Sequence, residues 1–122
     1  MNMVHVEIRK KGANTAILIS FNTEAEKFET PTERSKFFTE LHGRKQTIIK
    51  AGRRYEYDRP GLLDEIPNIA VDNSVFIIAQ EHMRQMMGFM REWEEKVAFK
   101  TFPVLLKPKE FRLLEEEREE EQ

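Results

Sequence analysis

Four consecutive residues, Thr30-Pro31-Thr32-Glu33, restrict the fold more than any other stretch of the chain. Thr30 can accept a hydrogen bond from an N–H further along, Pro31 supplies a helical φ where no N–H is needed, and Glu33 closes a capping box. A helix starts there. Phe37, Phe38 and Leu41 then share a face and Gly43 stands where a left-handed cap belongs, so the helix is expected over 31–42.

Both flanks of this helix carry strand patterns. Val4, Val6 and Ile8 alternate with His5, Glu7 and Arg9, and Thr15-Ala-Ile-Leu-Ile-Ser-Phe21 is a short run rich in β-branched residues. Together they predict an N-terminal strand pair about the turn Arg9–Asn14, with 22–29 a polar connector. Residues 46–51 and 53–58 predict a hairpin around Lys50-Ala51-Gly52, with Gly52 free to take positive φ and Arg59-Pro60-Gly61 ending it. Leu62–Pro67 reads as a loop or single turn on the core, 75–79 as a buried strand, 80–95 as a helix and 97–106 as a last strand, placed at an edge or bulge by Pro103. The order is β-β-α-β-β-β-α-β, an α+β chain. It implies an antiparallel or mixed sheet of about four strands flanked by helices on one face, with the other face open, plus the N-terminal strand pair and an acidic helical tail.

A chain of 122 residues, 39% hydrophobic and 34% charged, makes one domain with a charged exterior. Its net charge of −2 is unevenly spread. Residues 110–122 hold seven glutamates against Arg112 and Arg118, a local −5, so residues 1–109 carry +3. The expected organisation is a single basic domain over 1–109 and a tail over 110–122 that is mobile or a solvated helix face. The absence of cysteine excludes disulfides, thiol catalysis and cysteine metal sites, and with the abundance of Glu, Lys and Arg it fits a thermophilic source. No apolar run approaches a membrane span and the start lacks a signal-peptide pattern, so no membrane partner and a cytoplasmic location are expected.

Between Arg44 and Arg59, six cations (Arg44, Lys45, Lys50, Arg53, Arg54, Arg59) meet two acids, Glu56 and Asp58. Strand alternation points Arg53, Tyr55, Tyr57 and Arg59 one way, setting cations beside aromatic rings. Single-stranded nucleic acid asks for that pairing, since cations neutralise phosphates and rings stack on unpaired bases. The plain alternative is a solvated hairpin whose tyrosines cover the core.

Met83, Met86, Met87, Met90 and Trp93 form a helical stripe that reads as core, and Gly88 with Phe89 hints at a tight contact with another subunit. Phe99 and Phe102 point to opposite faces unless a bulge at Pro103 turns both inward, and both read as structural. His5, His42 and His82 have no metal-ligand spacing, the five glycines form no phosphate loop, and the adjacent Asp64 and Glu65 lack a nucleophile or base nearby. No catalysis, cofactor or metal is expected. A module that contacts a protein partner through the methionine helix and acidic tail is the alternative from another functional class.

The stretch 30–106, from the capped helix through the basic hairpin and Pro60-Gly-Leu-Leu-Asp-Glu-Ile-Pro67 to the strand, helix and strand that follow, resembles in layout the ThermoDBP and ThermoDBP-related proteins of hyperthermophilic archaea. The resemblance implies single-stranded-DNA binding by a homo-oligomer, dimer or tetramer, and a four-stranded antiparallel sheet flanked by helices with a cleft that is apolar at its floor and basic at its rim. The ThermoDBP leucine zipper has no counterpart, because Leu105, Leu106, Phe111 and Leu114 are interrupted by Pro108. Any oligomer is therefore expected to form by other means.

Overall fold

The computed structural model describes residues 14–120, with side chains as far as Glu115. The described elements are β1 (Thr15–Thr23), α1 (Pro31–His42), β2 (Gly43–Lys50), β3 (Arg53–Pro60), α2 (Leu62–Glu65), β4 (Asn68–Asp72), β5 (Val75–Ala79), α3 (Met83–Trp93), β6 (Val97–Leu105) and α4 (Pro108–Glu120), with 3-10 turns at Ala25–Lys27 and Gln80–His82. The chain is α+β, as its sequence implies. Helix α1 starts as expected, with the Glu33 N–H donating to Thr30 Oγ1 at 3.1 Å. The helix expected over 80–95 is instead a 3-10 turn followed by the shorter α3.

The main sheet has four antiparallel strands in the order β4-β5-β1-β6. This corrects the placement of Thr15–Phe21 in a separate N-terminal pair: the segment is the middle of the sheet. Its continuous apolar run is the mark of a strand covered on both faces. The other half of the expected pair, Val4–Ile8, lies outside the described residues. Ile17, Ile19 and Phe21 point to the larger core, where Phe37 and Leu41 of α1 meet Met86, Phe89 and Trp93 of α3. Phe37 is fully buried, with ring centroids of Phe21, Phe89 and Trp93 at 5.3 to 5.4 Å. The Trp93 indole N–H donates to Glu40 Oε1 at 3.1 Å, so this polar atom is satisfied at the core's margin.

The opposite sheet face is partly covered rather than open, a second correction. Ala16 and Ile77 pack there with Leu106 and with Leu114 of α4, and Phe111 lies against them. Pro108 begins α4 and the Lys107 N–H donates to Glu110 Oε1 at 3.0 Å, so the helix runs across the boundary that charge alone draws at residue 110. Strand β4 was not expected. It pairs with β5 through a bulge between Ala70 and Asp72 and forms one edge of the sheet.

The other edge is β6. The Leu106 N–H donates to Asn14 O and the Glu24 N–H to Lys96 O, so even-numbered residues of this strand bond inward. Pro103 therefore lacks its N–H on the open side, where none is needed. Its register with β1 is continuous, with no bulge there, so Phe99 joins the larger core while Phe102 is 50% exposed on the opposite face. The expectation that both are structural fails for Phe102. Phe89 is core, and the exposed Gly88 beside it touches nothing within 4 Å of where a Cβ would stand. Among the described residues, no helix is long and apolar enough to cross a membrane.

Candidate nucleic-acid interface

The basic hairpin is not part of the main sheet. Strands β2 and β3 form a two-stranded sheet of their own, and none of their residues belongs to either core. The ribbon is anchored at its root. A Cβ on Gly61 would stand 2.2 Å from the Gly43 nitrogen, and one on Gly43, where φ is +77°, would stand 2.5 Å from Arg59 O, so the two backbones cross where only glycine fits. Asp64 Oδ2 accepts the Gly61 N–H at 2.7 Å and ties the crossing to α2. That carboxylate, set aside as a catalytic acid on sequence grounds, serves as a cap. At the tip, Ala51 and Gly52 take φ of +55° and +77°, the backbone of a two-residue type I′ turn whose twist suits the flanking strands.

That turn sets the register. Arg44 faces Arg59, Gln46 faces Tyr57, Ile48 faces Tyr55 and Lys50 faces Arg53. Residues opposite one another in an antiparallel pair share a face, so these eight form one surface, with four cations, two tyrosines and no carboxylate. The other surface pairs Lys45 with Asp58, Thr47 with Glu56 and Ile49 with Arg54, and its charges cancel. Arg54 Nε lies 3.8 Å from Glu56 Oε2 on that neutral side.

Of the residues singled out from sequence, the fold therefore brings together Arg44, Lys50, Arg53, Tyr55, Tyr57 and Arg59, and turns Lys45 and Arg54 away. Two residues that sequence reasoning missed, Gln46 and Ile48, complete the surface; alternation counted from the turn could have found them. Gln46 Oε1 accepts a hydrogen bond from Arg59 Nε, which orients the guanidinium and leaves its charge unpaired by that contact.

Tyr55 and Tyr57 are 39% and 51% exposed, so they do not cover the core. Ile48 lies between the charged ends at 38% exposure. Cations stand at root and tip, with rings and an aliphatic side chain between them. From Arg53 to Arg59 the ribbon spans about 20 Å at roughly 3.3 Å per residue.

Among the described residues, no three His, Asp or Glu side chains gather in a way that could hold a metal ion. No family description, curated protein or solved structure matches the chain.

Proposed function

We propose that this chain is a non-catalytic single-stranded nucleic-acid-binding protein, for DNA or RNA, that works as a homo-oligomer and holds the strand on the cationic face of the β2–β3 ribbon. Arg44 and Arg59 at the root and Lys50 and Arg53 at the tip take phosphates, while Tyr55, Tyr57 and Ile48 receive bases. Lys45 and Arg54 contribute long-range attraction only. The observation that carries this reading is the sorting of charge by register, with four cations and no acid on one face and balanced charge on the other. A ribbon charged only for solubility would have both signs interspersed on both faces. The layout resemblance to single-stranded-DNA-binding proteins points to the same ligand, and exposed Phe102, Leu105 and Leu113 offer apolar surface for self-association.

The test is a fluorescence-anisotropy titration of labelled single-stranded DNA, single-stranded RNA and duplex at about 50 and 200 mM salt. Four phosphate contacts per chain give a salt slope of about −2.8 on a single strand, hence about a 50-fold loss across that interval. Single strands are expected to win over duplex, whose bases offer no free faces to stack on. Absence of binding to all three at 50 mM would refute the proposal. A protein-contact role would then gain, favoured by the groove in which Met87 and Met90 of α3 face Val97 and Phe99 of β6.

A further inference from the structure

Helix α1 carries a second array of rings and cations that runs into the root of the ribbon. Arg34, Phe38 and His42 stand four residues apart on one stripe of the helix. The Arg34 guanidinium carbon lies 5.1 Å from the centre of the Phe38 ring. The Phe38 and His42 rings are 7° from parallel, with centroids 6.3 Å apart, an offset stack. Arg34 and His42 are exposed, while Phe38 is half-buried and fixed from behind by Phe21 and Phe37. His42 also lines a shallow depression of about 440 Å³ with Arg44 and Arg59, the root cations of the ribbon face. Lys45, Asp58 and Asp64 line it too, and Asp64 is engaged with the Gly61 N–H. The depression is net positive.

We propose that the nucleic-acid track continues past the ribbon along α1, with His42, held flat by Phe38, as the next stacking surface and Arg34 as the terminal phosphate contact. This rests on the binding role proposed for the ribbon. Exposed side chains ordinarily keep their rotamer freedom. Here two, Arg34 and His42, are laid against the half-buried Phe38 in a ladder whose end opens beside the root of the ribbon, which a helix needing only solubility does not require. The eight steps from Arg34 to His42 span about 12 Å, which added to the ribbon's 20 Å gives roughly 32 Å. At about 3.4 Å per stacked nucleotide, the ribbon accommodates about six nucleotides and the joint track about nine.

The experiment titrates the full chain with labelled dT6 and dT12 over a salt series, for wild type, Arg34→Ala with His42→Ala, Arg34→Lys, and Arg53→Glu. The double variant is expected to bind dT12 about fivefold more weakly or worse, as loss of one stacked base implies, with a salt slope shallower by about 0.7. Its binding to dT6 should stay within about twofold of wild type. Arg34→Lys should keep the wild-type slope, which a packing defect would not restore. If the double variant binds both lengths like wild type while Arg53→Glu loses both, the α1 track is wrong and the ribbon reading stands. Equal losses on dT6 and dT12 would also overturn the continuation. Failure of wild type to bind either length at 50 mM salt would overturn the continuation on DNA, and failure to bind labelled single-stranded RNA and duplex as well would overturn both proposals.

Discussion

Arg53 and Arg54 are neighbours in sequence on opposite faces of the ribbon. Arg53→Glu and Arg54→Glu change the net charge equally, at points only about 3.4 Å apart along the strand. Any mechanism that depends on overall charge must treat them alike. The face mechanism does not, since Arg53 is one of four cations on the cationic face and Arg54 sits beside Glu56 on the neutral side. Removing one of four phosphate contacts lowers the salt slope from about −2.8 to about −2.1. Carried from a 1 M reference, one contact is worth about eightfold in affinity at 50 mM salt and about threefold at 200 mM. Arg53→Glu should therefore lose at least eightfold at the lower salt, and more because the new carboxylate repels phosphate. Arg54→Glu should stay within about twofold with its slope unchanged. Anisotropy titrations at five or six salt concentrations read both quantities. Equal losses and equal slopes for the two variants would refute the assignment of binding to one face, whatever the wild-type affinity.

Four further outcomes test the fold beneath the site. Ala51 holds a φ of +55° that costs an L-residue about 1–2 kcal/mol, so Ala51→Asn should relieve about 1 kcal/mol and slow amide hydrogen exchange along β2 and β3; unchanged or faster exchange would contradict the type I′ turn. Gly88 is exposed in mid-helix with open space around a new Cβ, so Gly88→Ala should raise stability by about 0.5–1 kcal/mol, a few degrees in Tm. A fall in Tm would reveal a close contact at that spot. The Lys96 ammonium and the Glu29 N–H, both donating to the Glu33 carboxylate, hold its pKa below the usual 4.5. The resulting stability is present above about pH 4.5 and fades as the pH falls toward the lowered value, so Glu33→Gln should flatten the drop in Tm between pH 6 and pH 3. Phe37→Ala, at the centre of the larger core, should cost about 3–5 kcal/mol in denaturant unfolding.

What was legible in the sequence was what neighbours along the chain decide. The start of α1 is a local hydrogen-bond pattern among Glu29, Thr30 and Glu33, and the positive φ of Gly52 at the hairpin tip is local too, whereas the positive φ of Ala51, expected at a strand end, was not legible. Strand β4 was not legible, because its five residues follow Pro67 and hold only Ile69 and Val71 as an alternating apolar pair. It exists because β5 offers an edge. The place of β1 between β5 and β6 is likewise a choice of distant partners, although its apolar run already called for cover on both sides. Half of the cationic face followed from alternation along β3. Adding Arg44 and Lys50 to it, and removing Lys45, required the register, and that depends on whether the turn holds two residues or three. A shift of one residue would exchange the two faces of β2.

The ribbon gathers several folding costs in one element. A two-stranded hairpin alone in water is marginal, and this one has no residue in either core. It also sets Arg44 across from Arg59 and Lys50 across from Arg53, like charges directly opposed, which weakens strand pairing. Ala51 adds backbone strain at the tip. In the body, by contrast, the α1 cap is bonded and the Trp93 indole is satisfied. Costs concentrated in one element indicate a constraint other than folding. An anion between each pair of opposed cations would turn repulsion into bridging, so a bound phosphate backbone would stabilise the ribbon that binds it. Gln46 fits the same logic, because its amide oxygen steadies Arg59 without the negative charge that would compete with phosphate for the guanidinium. A glutamate at that position would make a stronger contact within the ribbon and a weaker site for nucleic acid.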